Sequence, residues 1–202
     1  MKTVLLIGDS TMFGSTVSGG YGIYLANRYT VFEKGEVLLP NENCQDTRFT
    51  LNTFDEIFAE HKDRLSQVDL VHWNNGLWDT LHFLGNPRAT VPFERYIENL
   101  RNIHALLREK CPHAKIAFAT STPVDEGQNG KTYRTNAEIR DYNLGACRLL
   151  SGLGCYINDL YTFADENLWK HRAPDGVHFT DAGCILLSGR VMEFIEEVLE
   201  NG

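Results

Sequence analysis

The sequence has no apolar run approaching the roughly 18 residues that a membrane-crossing helix needs, so no transmembrane segment is expected. It has no CxxC pair and no zinc-ligand spacing. Its five cysteines, Cys44, Cys111, Cys147, Cys155 and Cys184, are scattered singly. An odd, dispersed set reads as reduced and mostly buried thiols, not as a disulfide framework. Basic clusters are absent too: with a formal net charge of −8 and no stripe of Lys and Arg, the chain offers nothing to track a phosphate backbone. The N-terminal apolar stretch, Val4 to Gly8 after a single Lys2, is shorter than the apolar region of a signal peptide. The expectation is therefore a cytoplasmic protein with neither nucleic acid nor membrane as partner. No repeat, low-complexity tract or linker interrupts the chain, so residues 1–202 read as one domain, long enough to bury a core without staples.

What is present is an alternation of short apolar runs and longer amphipathic stretches. Residues 3–8 are a β-branched-rich strand ended by Gly8, followed by a Gly/Ser/Thr-rich loop from Thr11 to Gly20 and a helix near 21–29. Val37 to Leu39, Val68 to Trp73, Lys115 to Thr120 and Cys155 to Ile157 read as four further strands. Helices are expected at 51–64, 93–110, 136–150 and 181–200. The one at 93–110 carries Tyr96, Ile97, Leu100, Ile103, Leu106 and Leu107 on one face and is stopped by Pro112. The last is capped by Asp181 with Thr180 before it, and Glu193, Glu196, Glu197 and Glu200 read as its solvated face. Five short strands between long helices imply a three-layer α/β/α fold with a parallel sheet covered on both faces. Such sheets bind ligands outside the carboxyl ends of their strands. Ser10, Asn43, Asn74 and Thr122 all fall just after a predicted strand, on that edge.

Two short motifs at opposite ends of the chain carry chemistry. Gly8-Asp9-Ser10 closes the first strand, and Asp175-Gly176-Val177-His178 lies in the loop before the last helix. They supply a hydroxyl nucleophile, an imidazole base and a carboxylate. Three residues apart in a loop, Asp175 can fold back onto the Nδ1–H of His178 and leave Nε2 free as the base. Either motif alone has a bland reading, a serine at a turn or an Asp-Gly turn. The loop after Gly8 lacks both the P-loop and the dinucleotide glycine patterns.

In these motifs the chain resembles the SGNH, or GDSL-type, esterase and lipase superfamily over residues 3 to about 195. The family's first block ends in Gly-Asp-Ser, and its last is Asp-x-x-His with a glycine five residues beyond, matched here by Asp175, His178 and Gly183. The resemblance implies a flavodoxin-like five-stranded parallel sheet and an enzyme needing neither metal nor organic cofactor. It makes Ser10 the nucleophile, His178 the base and Asp175 its orienter. It also implies three oxyanion donors: the Ser10 N–H, a backbone N–H from the second block and an asparagine side chain from the third.

The middle blocks depart from the family pattern. Between Asn41 and Thr47 there is no glycine, so Asn43 or Cys44 is expected to present the second amide. The third block, Asn74-Asn75-Gly76-Leu77-Trp78-Asp79, has Trp78 in the usual asparagine place. It resembles a branch of the superfamily with an Asn-x-Gly-Leu-x-Asp version, on which Asn74 is the side-chain donor and Asn75 the alternate. Cys44 also lies on the active edge, but the paired blocks nominate Ser10 over it as nucleophile. Trp73, Trp78 and Trp169 read either as an aromatic wall for substrate or as core. There is no continuous apolar lid, and the polar segment Asp125 to Lys131 lies near the active edge. The expected substrate is a small ester, a short acyl group such as acetyl on a carbohydrate or other polar alcohol. Lipase, thioesterase and acyltransferase activity, or glycan or acyl binding without turnover, are the rival readings.

Overall fold

An extended chain sends alternate side chains to opposite faces, so an unbroken apolar run demands cover on both. The first run does this as strand β1 (Lys2–Ile7) in a computed structural model that describes residues 1–128 and 130–201. Asn129, within the polar segment singled out above, lies outside the described residues. Strands β2 (Gly35–Leu38), β3 (Leu70–Trp73), β4 (Lys115–Ala119) and β5 (Tyr156–Asn158) join β1 in one sheet. The order is β2-β1-β3-β4-β5 and every pair is parallel. Lys2 is in register with Gly35, Ile7 with Trp73, and Leu70 with Lys115. The order reverses at β1, which makes its exit the switch point where such sheets open a crevice.

Connections between parallel strands must cross over, and helices do so on both faces. A short helix, α1 (Ser10–Phe13), turns the chain off β1 and is followed by α2 (Gly20–Val31). Then come α3 (Thr47–Ile57), α4 (Phe93–Lys110), α5 (Asn136–Gly152), α6 (Leu160–Asn167) and α7 (Asp181–Asn201). Leu5, Ile7, Val71, Trp73, Ile116 and Phe118 face one way, packing with Phe54 of α3, Leu100 and Ile103 of α4 and Ala146 of α5. Val4, Leu6, Leu70, Ala117 and Ala119 face the other, against Leu25 of α2, Leu160 of α6 and Leu187 and Val191 of α7. Alternate residues of β1 thus feed two separate cores, the three-layer arrangement expected from the sequence.

The element boundaries differ in places. The helix expected at 51–64 begins at Thr47, because the Asp46 carboxylate accepts from the N–H groups of Arg48 (2.8 Å) and Phe49 (3.1 Å) as its cap. It stops at Ile57 and gives way to two 3₁₀ turns, Ala59–His61 and Leu65–Gln67. Helix α6 was not anticipated. Asp159 starts it by accepting from the N–H (3.1 Å) and hydroxyl (2.6 Å) of Thr162. An antiparallel pair, His82–Phe83 with Thr132–Tyr133, is too short to leave an alternating pattern in the sequence. At α7 the capping side chain is Thr180, whose hydroxyl accepts from Gly183 N–H at 3.4 Å.

Phe118 stands edge-on to Trp73, with ring centroids 5.2 Å apart, at the centre of the first core. Phe118→Ala leaves a hole there and is expected to cost about 3–5 kcal/mol. The check is a urea titration, in which the midpoint should fall while the m-value holds.

Candidate active site

The carboxyl edge of the sheet gathers the two end motifs. Gly8 ends β1, and Asp9 caps α1 by accepting from Thr11 N–H at 2.9 Å, which leaves Ser10 as the first helical residue. A Cβ on Gly8 would stand 2.8 Å from Cβ of Met12, so the turn needs a residue without one. From the far end of the chain, His178 places Nε2 2.7 Å from Ser10 Oγ. Its Nδ1 lies 2.6 Å from Asp175 Oδ2. The other oxygen of Asp175 accepts from the backbone N–H groups of Val177 and His178, both at 2.9 Å. Partial burial opposes the charge on Asp175, but the bonds from the His178 side chain and these two amides outweigh it and hold its pKa below the ordinary carboxylate value. An ionised Asp175 fixes the proton on Nδ1, so Nε2 can accept the Ser10 proton.

The loop carrying Asp175 and His178 is pinned on several sides. Its Gly176 carbonyl accepts from Asp125 N–H at 2.7 Å, and its Val177 carbonyl accepts from the Arg172 guanidinium at 2.8 Å. Arg172 itself stacks over Phe179, 4.1 Å from the ring centroid. Gly183 lets α7 approach: a Cβ there would stand 2.9 Å from Phe179 Cβ and 3.0 Å from His171 Cβ.

The residues named as oxyanion donors meet different fates. Among the described residues nothing accepts from the Ser10 N–H, which leaves it available. Asn43 uses its side-chain oxygen to hold Gln45 N–H at 2.8 Å, while its own N–H has no acceptor among the described residues. The left-handed backbone in this loop falls on Gln45 (φ 48°), not Asn43. Cys44 has no amide to offer, because its N–H donates to the Gly8 carbonyl at 3.1 Å. Its thiol is fully buried and burial pushes its pKa up to about 12, so it is no thiolate nucleophile. The Asn74 amide group donates to the Ala119 carbonyl at 2.8 Å, which ties one of its two N–H groups to the sheet.

Asn75 is fully buried and braces the edge. Its amide group donates to the Gln45 carbonyl (2.9 Å) and the Thr50 hydroxyl (3.1 Å), and its oxygen accepts from the Trp73 indole at 2.7 Å. With both ends bonded inward, it cannot reach a substrate. Asp79 braces the same two loops, accepting the Thr47 hydroxyl at 2.6 Å and the Thr47 N–H at 3.2 Å. Burial pushes Asp79 up to about 7. Between them, Gly76 passes so close to the next strand's exit that a Cβ would lie 2.2 Å from Ser121 Oγ.

Ser10, His178 and Asp175 open onto a cleft of about 280 Å³, walled by Leu77, Trp78, Thr132 and Val177. Of the three tryptophans only Trp78 is in this wall. Trp73 is fully buried core, and Trp169 is half exposed with Arg172 packed over its ring. The cleft also contains Arg134, which sequence reading did not single out. It precedes the α5 cap residue Thr135, is only 7% exposed, and donates from Nε to the Leu77 carbonyl. Burial pushes its pKa down to about 10, opposed by the charges of Asp9 and Asp175, so it stays cationic at neutral pH. A larger groove of about 780 Å³ between α4 and α5 contains none of these residues. Among the described residues no cluster of His, Cys, Asp or Glu could hold a metal ion.

The Asp79 shift has a consequence for stability. Its carboxyl stays protonated in the folded chain up to about pH 7, whereas an unfolded chain loses that proton near pH 3.8. Stability is therefore fullest below the unfolded value and declines as pH rises through the folded one. Asp79→Asn is expected to remove on the order of 2–3 kcal/mol of that decline between about pH 5 and about pH 8. Paired urea titrations of wild type and variant at the two pH values check this, and parallel losses would remove Asp79 as the cause.

The chain is similar to known proteins in sequence and in fold. Residues 6–184 match the GDSL-like lipase/acylhydrolase family. A GDSL esterase/lipase of Arabidopsis thaliana is 28% identical over 96% of this chain and 78% of its own length. The human isoamyl acetate-hydrolyzing esterase 1 homolog is 24% identical over 96% and 81%. Among solved structures, a lipase/acylhydrolase from Enterococcus faecalis superposes with a TM-score of 0.71 at 20% identity, covering 98% of this chain and 97% of that one. An acetylxylan esterase from Geobacillus stearothermophilus does so with a TM-score of 0.70 at 17% identity over 96% and 94%. With a matched segment running from inside β1 to the first turn of α7, the chain belongs to the GDSL-like lipase/acylhydrolase family and is a carboxylic ester hydrolase.

Proposed function

We propose that the enzyme removes a short acyl group, acetyl in the first instance, from a carbohydrate or other polar alcohol, and that it works through an acyl-enzyme. The observation that carries this reading is the unbroken chain Asp175–His178–Ser10 ending in a cleft of about 280 Å³. That volume lies at the lower end of small-molecule sites, which favours a short acyl group. The lining is mixed, with Thr132 and Arg134 beside Leu77, Trp78 and Val177, which suits a polar alcohol better than a lipid. Relatives named for isoamyl acetate and for acetylxylan, both acetyl esters, support the same acyl length.

In this mechanism Ser10 Oγ attacks the ester carbonyl while His178 Nε2 takes its proton. Asp175 stabilises the imidazolium that forms. The carbonyl oxygen becomes an oxyanion, received by the Ser10 N–H, by the Asn43 N–H and by the N–H of Asn74 that the sheet leaves unbonded. Each such donor is worth about 2.7–4 kcal/mol in the transition state. The oxyanion collapses, His178 returns the proton to the departing alcohol, and the same imidazole then activates water to release the acid. No helix among the described residues is long and apolar enough to cross a membrane. The cysteines are free and at least half buried, and we place the enzyme in the cytoplasm, where thiols stay reduced.

The test is a series of p-nitrophenyl esters from acetate to octanoate. Wild-type kcat/KM should peak at acetate or propionate and fall steeply with length; a maximum at octanoate would instead mark a lipase. Ser10→Ala and Asp175→Asn should each reduce kcat by about 10³–10⁴-fold or more with the fold intact by circular dichroism. Full activity in Ser10→Ala would overturn the mechanism. Added sugar acceptors that divert acyl groups from water would mark a transferase.

A further inference from the structure

A guanidinium that is almost wholly buried normally meets a carboxylate, because an unpaired charge in a poorly solvated site is costly. Arg134 does not. Among the described residues no carboxylate lies within ion-pair distance of it. Of the two acids whose charges reach it, Asp175 is engaged with His178, and Asp9 holds Thr11 N–H with one oxygen while the other makes no bond among the described residues, to Arg134 or to any other group. Its one bond, from Nε to the Leu77 carbonyl, fixes the plane of the guanidinium. The two terminal nitrogens have no acceptor among the described residues, yet neither is sealed from solvent, and the residue lines the same cleft as Ser10 and His178.

A planar fork whose two terminal nitrogens have no acceptor among the described residues, on a residue that lines the cleft, matches the two oxygens of a carboxylate. We propose that Arg134 binds a carboxylate of the substrate, so that the ester taken by this enzyme carries a negative charge near the scissile bond, on either the alcohol or the acyl side. This rests on the esterase reading above and narrows it: the polar alcohol becomes a hydroxy acid or acidic sugar, or the acyl group becomes that of a dicarboxylic half-ester. The leaving acid or alcohol then also bears a charge, which must return to solvent, and the open cleft allows it.

Two matched pairs of esters separate the sources of charge. On the alcohol side, p-carboxyphenyl acetate is compared with its methyl ester; on the acyl side, p-nitrophenyl hydrogen glutarate with its methyl ester, each corrected for its uncatalysed rate. At least one charged member should exceed its neutral isostere in kcat/KM by roughly 10- to 100-fold, the span of a charged hydrogen-bonded contact, and chiefly through KM. Arg134→Gln should collapse that ratio toward one, and Arg134→Lys should restore part of it. Wild-type ratios near one in both pairs would overturn the proposal without any variant. So would an Arg134→Gln enzyme that loses kcat equally on charged and neutral esters, which would make the residue an oxyanion donor. Failure of the esterase reading itself looks different: no ester in either pair would be cleaved in a Ser10-dependent way.

Discussion

The 2.7 Å contact between Ser10 and His178 joins residues that the chain separates by almost its whole length, and the parallel sheet makes that contact possible. Parallel strands all end on one side, so every loop that follows a strand is delivered to the same edge. β1 lies inside the sheet, between β2 and β3, where the strand order reverses and the flanking crossovers diverge. Ser10 emerges into that gap. The segment before α7 reaches it from the other side and is held there by Asp125, Arg172 and the close approach at Gly183. Rearranging any of these anchors would move the imidazole, and a base displaced by an ångström no longer meets its hydroxyl.

The surroundings shift three carboxyl groups of this edge, Asp9, Asp79 and Asp175, in opposite directions. Burial raises Asp9, and one of its oxygens has no hydrogen-bond partner among the described residues. Burial also raises Asp79, where a hydroxyl and an amide of Thr47 cannot offset the loss of water. Of these three, Asp175 is the one held low: burial opposes its charge, but a side chain and two backbone amides of its own loop all donate to it. The charge on Asp175 lies directly against His178, 2.6 Å from its Nδ1. Arg134 supplies the opposite sign within the same small volume.

Much of this was legible in the sequence. Alternating apolar runs of β-branched residues and amphipathic stretches disclosed the strands and most helices, since burial on one or both faces leaves a periodic trace. Gly8-Asp9-Ser10 and Asp175 to His178 were readable because the proposed nucleophile, base and orienter call for fixed residue types at fixed local spacing. Helix α6 and the His82–Phe83 pairing left too short a pattern to detect, and the start of α3 was hidden because its cap, Asp46, looks like any loop acid.

The sequence by itself determined the chemistry of the proposed catalytic groups and the layered α/β/α fold, because both depend on residue type and local periodicity. The tertiary structure alone decided which polar groups remain free at the edge. Cys44, Asn43, Asn74 and Asn75 are equally able to donate as isolated residues. One gives its amide to Gly8 and another buries both ends of its side chain, while Asn43 keeps its N–H and Asn74 keeps half of its amide group. Arg134 enters the cleft on the same terms. A hydrogen-bonding group acts on a substrate only if no nearer partner in the folded chain has already claimed it, and that competition among distant segments has no local signature.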